Sequence, residues 1–119
     1  MEVPKIFESE YRFCEILWEN EPVTSSELVR LCREKLEWKK STTYTVIRRL
    51  SERGVIKSED AIVTSLVSRE DAQSAESTEI VERTFSGSLP SFIAAFTRKK
   101  NLSRQEIDEI QKIIDNYKD

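Results

Sequence analysis

Apolar residues recur at helical spacing along most of the chain. Phe7, Tyr11, Cys14 and Trp18 follow one another at intervals of four, three and four, with Leu17 beside them, and predict a first helix over about Ser9–Glu19 whose stripe faces a core. Asn20-Glu21-Pro22 ends it. Val23-Thr24-Ser25-Ser26-Glu27-Leu28 is a helix start, with Thr24 accepting from the Glu27 N–H, Glu27 reaching back, and Val23 stapled on Leu28. The second helix runs to about Leu36 and turns Leu28, Cys32 and Leu36 inward. After Glu37-Trp38-Lys39-Lys40 a third helix, beginning near Ser41, buries Thr43, Val46, Ile47 and Leu50 and stops at Gly54, which suits a left-handed C-terminal cap. The β-branched runs Val55–Ser58 and Ala61–Leu66, separated by Glu59-Asp60, predict a short antiparallel hairpin. Helix, helix, helix, hairpin is the order of a winged helix-turn-helix, in which the third helix can enter a major groove.

The second half restarts at Ser68, an N-cap followed by acids that suit a helix start. Asp71–Glu79 holds only Ala72 and Ala75 as apolar residues and reads as an exposed helical spacer. Ile80, Val81 and Phe85 follow, and Ser88-Leu89-Pro90 opens a helix carrying Leu89, Phe92, Ile93 and Phe96 on one side. After the basic turn Arg98-Lys99-Lys100, Ser103 and Glu106 form a capping box and Leu102 and Ile107 a staple. The last helix shows a seam of Ile107, Ile110, Ile114 and Tyr117. The pattern predicts a mainly α protein with a small β-hairpin, a winged-helix DNA-binding domain over residues 1–67 and a three-helix dimerisation region over residues 68–119. The 52 residues of the second part are too few to bury that much apolar surface alone. They are expected to pair with an identical copy through Ile80, Val81, Phe85, Leu89, Phe92, Ile93, Phe96, Ile107, Ile110, Ile114 and Tyr117.

Composition narrows the chemistry. The 119 residues contain no histidine and two cysteines, so an imidazole base, a Ser-His or Cys-His pair and a His-based metal site are excluded. Cys14 and Cys32 fall inside apolar stripes and read as reduced core residues. Neither a metal nor another cofactor is expected, nor an enzyme. No apolar run is long enough for membrane insertion, and the chain start lacks a secretory pattern, so a cytoplasmic location is expected.

Net charge is −3, yet its distribution is uneven. From Arg30 to Lys57 there are nine basic residues against three acids, while residues 1–29 hold two against seven. The solvent face of the third helix shows Ser41, Thr42, Tyr44, Thr45, Arg48 and Arg49, with no carboxylate before Glu52. A solvated helix ordinarily mixes acids with bases. The acid-free face predicts contact with double-stranded DNA, Lys39, Lys40, Arg48, Arg49 and Arg53 on phosphates and Ser41, Thr42, Tyr44 and Thr45 toward base edges. The alternative is a dimeric winged-helix module that binds a protein partner and not DNA.

Several segments together resemble the penicillinase-repressor (BlaI/MecI/CopY) family: Ser9-Glu10-Tyr11 through Leu17-Trp18-Glu19, Pro22-Val23-Thr24, Glu37-Trp38-Lys39-Lys40-Ser41-Thr42, Arg49-Leu50 with Arg53-Gly54-Val55-Ile56, Leu66–Glu70, Gly87-Ser88-Leu89 through Phe96, and Leu102-Ser103. The resemblance implies a bacterial repressor that binds palindromic operators as a homodimer. It places base contacts on Ser41, Tyr44 and Thr45 and a phosphate contact on Arg49. It also implies relief by cleavage downstream of a membrane-bound metalloprotease sensor, with Ala95-Phe96 as the candidate bond where the family has Asn-Phe. The family's often basic positions at Ser41 and Tyr44 are hydroxyl-bearing here, which implies a different operator. The hairpin is shorter than the family's and its tip, Glu59-Asp60, is acidic, so a weak wing contact with DNA is expected. The paired Cys-x-Cys motifs of the copper-responsive branch are absent.

Overall fold

Residues 2–118, which the computed structural model describes, give the order α1 (Glu8–Asn20), β1 (Val23–Thr24), α2 (Ser25–Leu36), α3 (Lys40–Glu52), β2 (Ile56–Glu59), β3 (Ile62–Ser65), α4 (Arg69–Phe85), α5 (Leu89–Thr97) and α6 (Arg104–Asp115). Two compact units divide within α4, one up to Glu76 and one from Ser77. The first is a winged helix-turn-helix. Its core joins Phe13, Cys14, Ile16 and Leu17 of α1, Leu28, Leu31 and Cys32 of α2, Val46, Ile47 and Leu50 of α3, and Val55, Ile56, Val63 and Val67 around the sheet.

Local chemistry sets most boundaries. Thr24 caps α2, its hydroxyl accepting from the Glu27 N–H at 3.1 Å. Glu27 does not reach back as expected. Its carboxylate takes the Arg30 guanidinium, which also donates to Glu34 at 2.8 Å. At the end of α3, Gly54 adopts φ +81°; its N–H donates to Ser51 O at 3.1 Å and the Val55 N–H to Leu50 O at 2.9 Å, a Schellman closure. Leu50 and Val55, which flank that closure, are both buried.

Two features of α1 differ from the expected stripe. Phe7 precedes the helix and is 54% exposed, while Phe13 and Ile16 are buried in its place. Glu10 is buried too. The backbone is extended at Phe7, so the helical spacing that links Phe7 to Tyr11 does not hold there.

The sheet has the order β1-β3-β2, antiparallel throughout, with Val23 opposite Val63 and Glu59 opposite Ile62. Strand β1 was not anticipated, since two residues carry no alternation. The hairpin turn lies at Asp60-Ala61, one residue later than expected. Both residues have positive φ, 53° and 62°, as a two-residue primed turn requires. The Ala61 carbonyl accepts from the Ser25 N–H at 2.9 Å and ties the turn to the start of α2. A left-handed alanine carries a steric cost of about 1 kcal/mol that glycine lacks, so Ala61→Gly is expected to stabilise the unit by about 0.5–1 kcal/mol. Calorimetry checks this through a melting temperature higher by several degrees; an unchanged or lower value contradicts the turn assignment.

The second unit contains the end of α4, α5 and α6. Ser88 caps α5, and Ser103 and Glu106 close the expected capping box on α6 with bonds of 3.1 and 3.0 Å. Phe85 and Phe92 meet edge to face at 5.5 Å, and Phe92 lies 6.1 Å from Phe96. Among the described residues, none of α5 or α6 is buried. Leu89, Ile93, Phe96, Ile107, Ile110, Ile113, Ile114 and Tyr117 are all exposed.

Candidate nucleic-acid interface

Helix α3 is held from behind and bare in front. Val46, Ile47, Leu50 and Thr43 pin its inner face to the core. Ser41, Thr42, Tyr44, Arg48 and Arg49 are exposed and Thr45 is half-buried. Tyr44 is 40% exposed and the Arg48 side chain 66%, so the face expected to meet DNA is open within the first unit. The helix begins at Lys40, one residue earlier than expected, with Lys39 as an N-cap that makes no side-chain cap bond and no acid in the first turn. Its first N–H groups and the ammoniums of Lys39 and Lys40 therefore favour an anion at this end.

The basic residues of this region divide into two groups. Lys39, Lys40, Arg48 and Arg49 are exposed; the Lys40 ammonium lies 6.0 Å from the centre of the Tyr44 ring, and Arg48 is a loose 4.0 Å from Glu52. Arg53, expected on phosphate, is placed otherwise. Its guanidinium pairs with the buried Glu10 carboxylate, donates to the Lys5 carbonyl at 2.7 Å and sits 5.1 Å from the centre of the Phe7 ring. Glu10 in turn accepts from the Phe7 N–H at 2.9 Å. Arg53 thus fastens the end of α3 to α1 and the segment before it. No sequence signal joined Glu10 to Arg53, because 43 residues separate them.

The wing is less acidic than its sequence suggests. Lys57 and Glu59 pair at 2.8 Å, and their hydrogen bond holds the ammonium above and the carboxyl below their ordinary ranges. One of the two acids at the tip is thereby offset. The wing base is fastened by Glu21, whose carboxylate accepts from the Ser65 N–H at 2.7 Å and from its hydroxyl. Trp18 donates from Nε1 to the Val67 carbonyl at 3.0 Å.

Both cysteines are buried. Burial, with Glu10 nearby, pushes the Cys14 thiol from 9.0 up to about 12, and burial raises that of Cys32. The proton is held more tightly in the folded chain, so this contribution to stability is intact below pH 9 and is lost as pH climbs toward 12. At pH 8 a disulfide reagent is expected to modify both thiols only in denaturant. Rapid modification of the native protein contradicts the burial.

In the second unit, Ile80, Val81, Phe85 and Phe92 are half-buried by neighbours within the chain, while Leu89, Ile93, Phe96, Ile107, Ile110, Ile114 and Tyr117 face outward. Ile113, 71% exposed, extends that face and belongs with it. The Ala95-Phe96 bond lies inside α5. No helix among the described residues is long and apolar enough to cross a membrane.

The sequence is similar to those of known repressors. The penicillinase repressor of Bacillus licheniformis is 22% identical over 120 residues, spanning 98% of this chain and 94% of that protein. The methicillin resistance regulatory protein MecI of Staphylococcus aureus strain Mu50 is 26% identical over 114 residues, covering 92% and 93% of the two chains. MecI of Mammaliicoccus sciuri is 25% identical over the same length and shares. The sequence model of the penicillinase repressor family matches residues 6–116. The chain therefore belongs to the penicillinase repressor family, whose members are regulatory DNA-binding proteins and not enzymes.

Proposed function

We propose that this protein is a transcriptional repressor that binds palindromic operator DNA as a homodimer, with residues 1–67 as the DNA-binding part and residues 68–119 as the dimerisation part. The observation that carries the reading is the solvent-open face of α3, without a carboxylate from Lys40 to Ser51, on a firmly packed winged helix. In a major groove, the N-terminal end of such a helix reaches base edges. Ser41, Thr42, Tyr44 and Thr45 occupy that end, while Lys39, Lys40, Arg48 and Arg49 are disposed for phosphates. Arg53 is left out of the phosphate set because Glu10 already holds its charge.

The exposed apolar side chains of α5 and α6 support pairing with a second copy. Left in water they forgo roughly 25 cal/mol for each Å² that could be buried. Two tethered reading helices also raise affinity by orders of magnitude over one. Cleavage at Ala95-Phe96, by a metalloprotease sensor or its downstream agent, would sever α6 from α5, split the apolar face and release the DNA.

Duplexes selected from a random library by the intact protein test the reading. They should be palindromic, with two symmetric protected stretches in a footprint. Asymmetric or absent protection contradicts it. Arg49→Ala is expected to weaken binding to every duplex and to reduce the slope of log affinity against log salt by about one for each lost contact. An unaltered slope with lost sequence preference would remove Arg49 from the phosphate set.

A further inference from the structure

The base-reading end of α3 has a restricted chemistry. Ser41, Thr42 and Tyr44 are exposed and Thr45 half-buried, whereas Thr43 between them is fully buried and unavailable. Residues 41–45 contain no arginine, lysine, asparagine or glutamine. Lys40, just before them, leans over the Tyr44 ring. Guanidinium groups appear only a turn later, at Arg48 and Arg49.

Bidentate reading of guanine needs a cationic donor on O6 and N7, and of adenine a carboxamide on N6 and N7. Neither stands among residues 41–45, and the two ammoniums just before them, on Lys39 and Lys40, are assigned above to phosphates. A hydroxyl forms single hydrogen bonds with any base and discriminates little. The threonine methyls and the phenol ring remain, and their natural counterpart on the floor of the major groove is the C5 methyl of thymine.

Resting on the operator-binding reading above, we propose that the protein takes its sequence specificity from thymine C5 methyl groups, with Thr45 and Tyr44 as the specificity-determining residues. Each methyl withdrawn from water against them favours thymine over the other bases at that position. The hydroxyl of Ser41, which carries no methyl, fixes the helix in the groove without choosing among bases.

The test uses duplexes selected by the full-length protein from a random library and resynthesised with deoxyuridine for each thymine in turn, a change that removes only the methyl. Affinity should fall about fourfold at one or two positions in each half-site. Replacement of guanines by 7-deazaguanine should change it less than twofold. Thr45→Ser, which keeps the hydroxyl and loses the methyl, should erase the thymine–uracil difference at one position, and Tyr44→Ala at another. Uracil duplexes bound within twofold of their thymine parents at every position overturn the proposal, as does a tenfold loss on 7-deazaguanine. A protein that binds random duplex DNA yet selects no common sequence also overturns it. No binding to any duplex at low salt defeats instead the operator-binding reading on which it rests.

Discussion

Replacement of Arg53 by alanine is expected to lower the stability of the first unit by about 2–3 kcal/mol, the largest loss foreseen for a surface-reaching residue. Removing one partner of a buried ion pair strands the other charge, which costs about 3–5 kcal/mol when the pair is fully enclosed. Here the Glu10 side chain is 7% exposed but that of Arg53 is 28% exposed, so solvent screening brings the loss below that range. The loss of the Lys5 carbonyl bond and of the Phe7 contact adds to it. Glu10→Gln in the same chain should restore part of the stability, because the stranded charge is then gone. Denaturant titration of the two single variants and the double variant measures the coupling. The salt dependence of DNA binding should stay unchanged in Arg53→Ala, in contrast to Arg49→Ala. A stability loss under about 0.5 kcal/mol, or a salt slope reduced by one, would return Arg53 to the phosphate set.

Glutamate at both Ile110 and Ile114 is expected to convert a dimer into a monomer. The two side chains are exposed one turn apart on α6, 39% and 61%, within an apolar face that continues through Ile107, Ile113 and Tyr117. Carboxylates there would have to be buried without partners in the paired state, whereas in the single chain they simply meet water. Light scattering should give twice 13.9 kDa for the parent chain and 13.9 kDa for the variant. Affinity for a palindromic duplex should fall by about 10²–10⁴ as the linkage between two reading helices is lost. A parent chain of single mass at micromolar concentration would remove the dimer from the account.

Features of the fold that rest on partners three or four residues apart could be read directly from the sequence. The caps at Thr24, Ser88 and Ser103 and the closure at Gly54 are of this kind, and each occurs at its expected residue. The inner face of α3 follows from the spacing of Thr43, Val46, Ile47 and Leu50 in the same way. Features that depend on distant partners were not readable. Strand β1 exists because Val23 and Thr24 find Val63 and Ile62, and two residues alone show no strand pattern. Nothing near Glu10 in the sequence marks it for burial, which follows from Arg53 arriving at the end of another helix. Charge counting alone therefore assigned Arg53 and its neighbours to one role. The turn at Asp60-Ala61 escaped for a third reason: alanine is a poor residue for positive φ, and the anchoring bond from Ser25 that holds it lies outside the hairpin.

The open face of α3 is expected to meet a polyanionic duplex. Affinity for random-sequence duplex DNA, measured from 50 to 300 mM salt, tests it most directly. With Lys39, Lys40, Arg48 and Arg49 on phosphates in each of two chains, log affinity should fall steeply and linearly with log salt, with a slope of roughly −7. Affinity that does not change with salt, or no binding at 50 mM, would contradict the account.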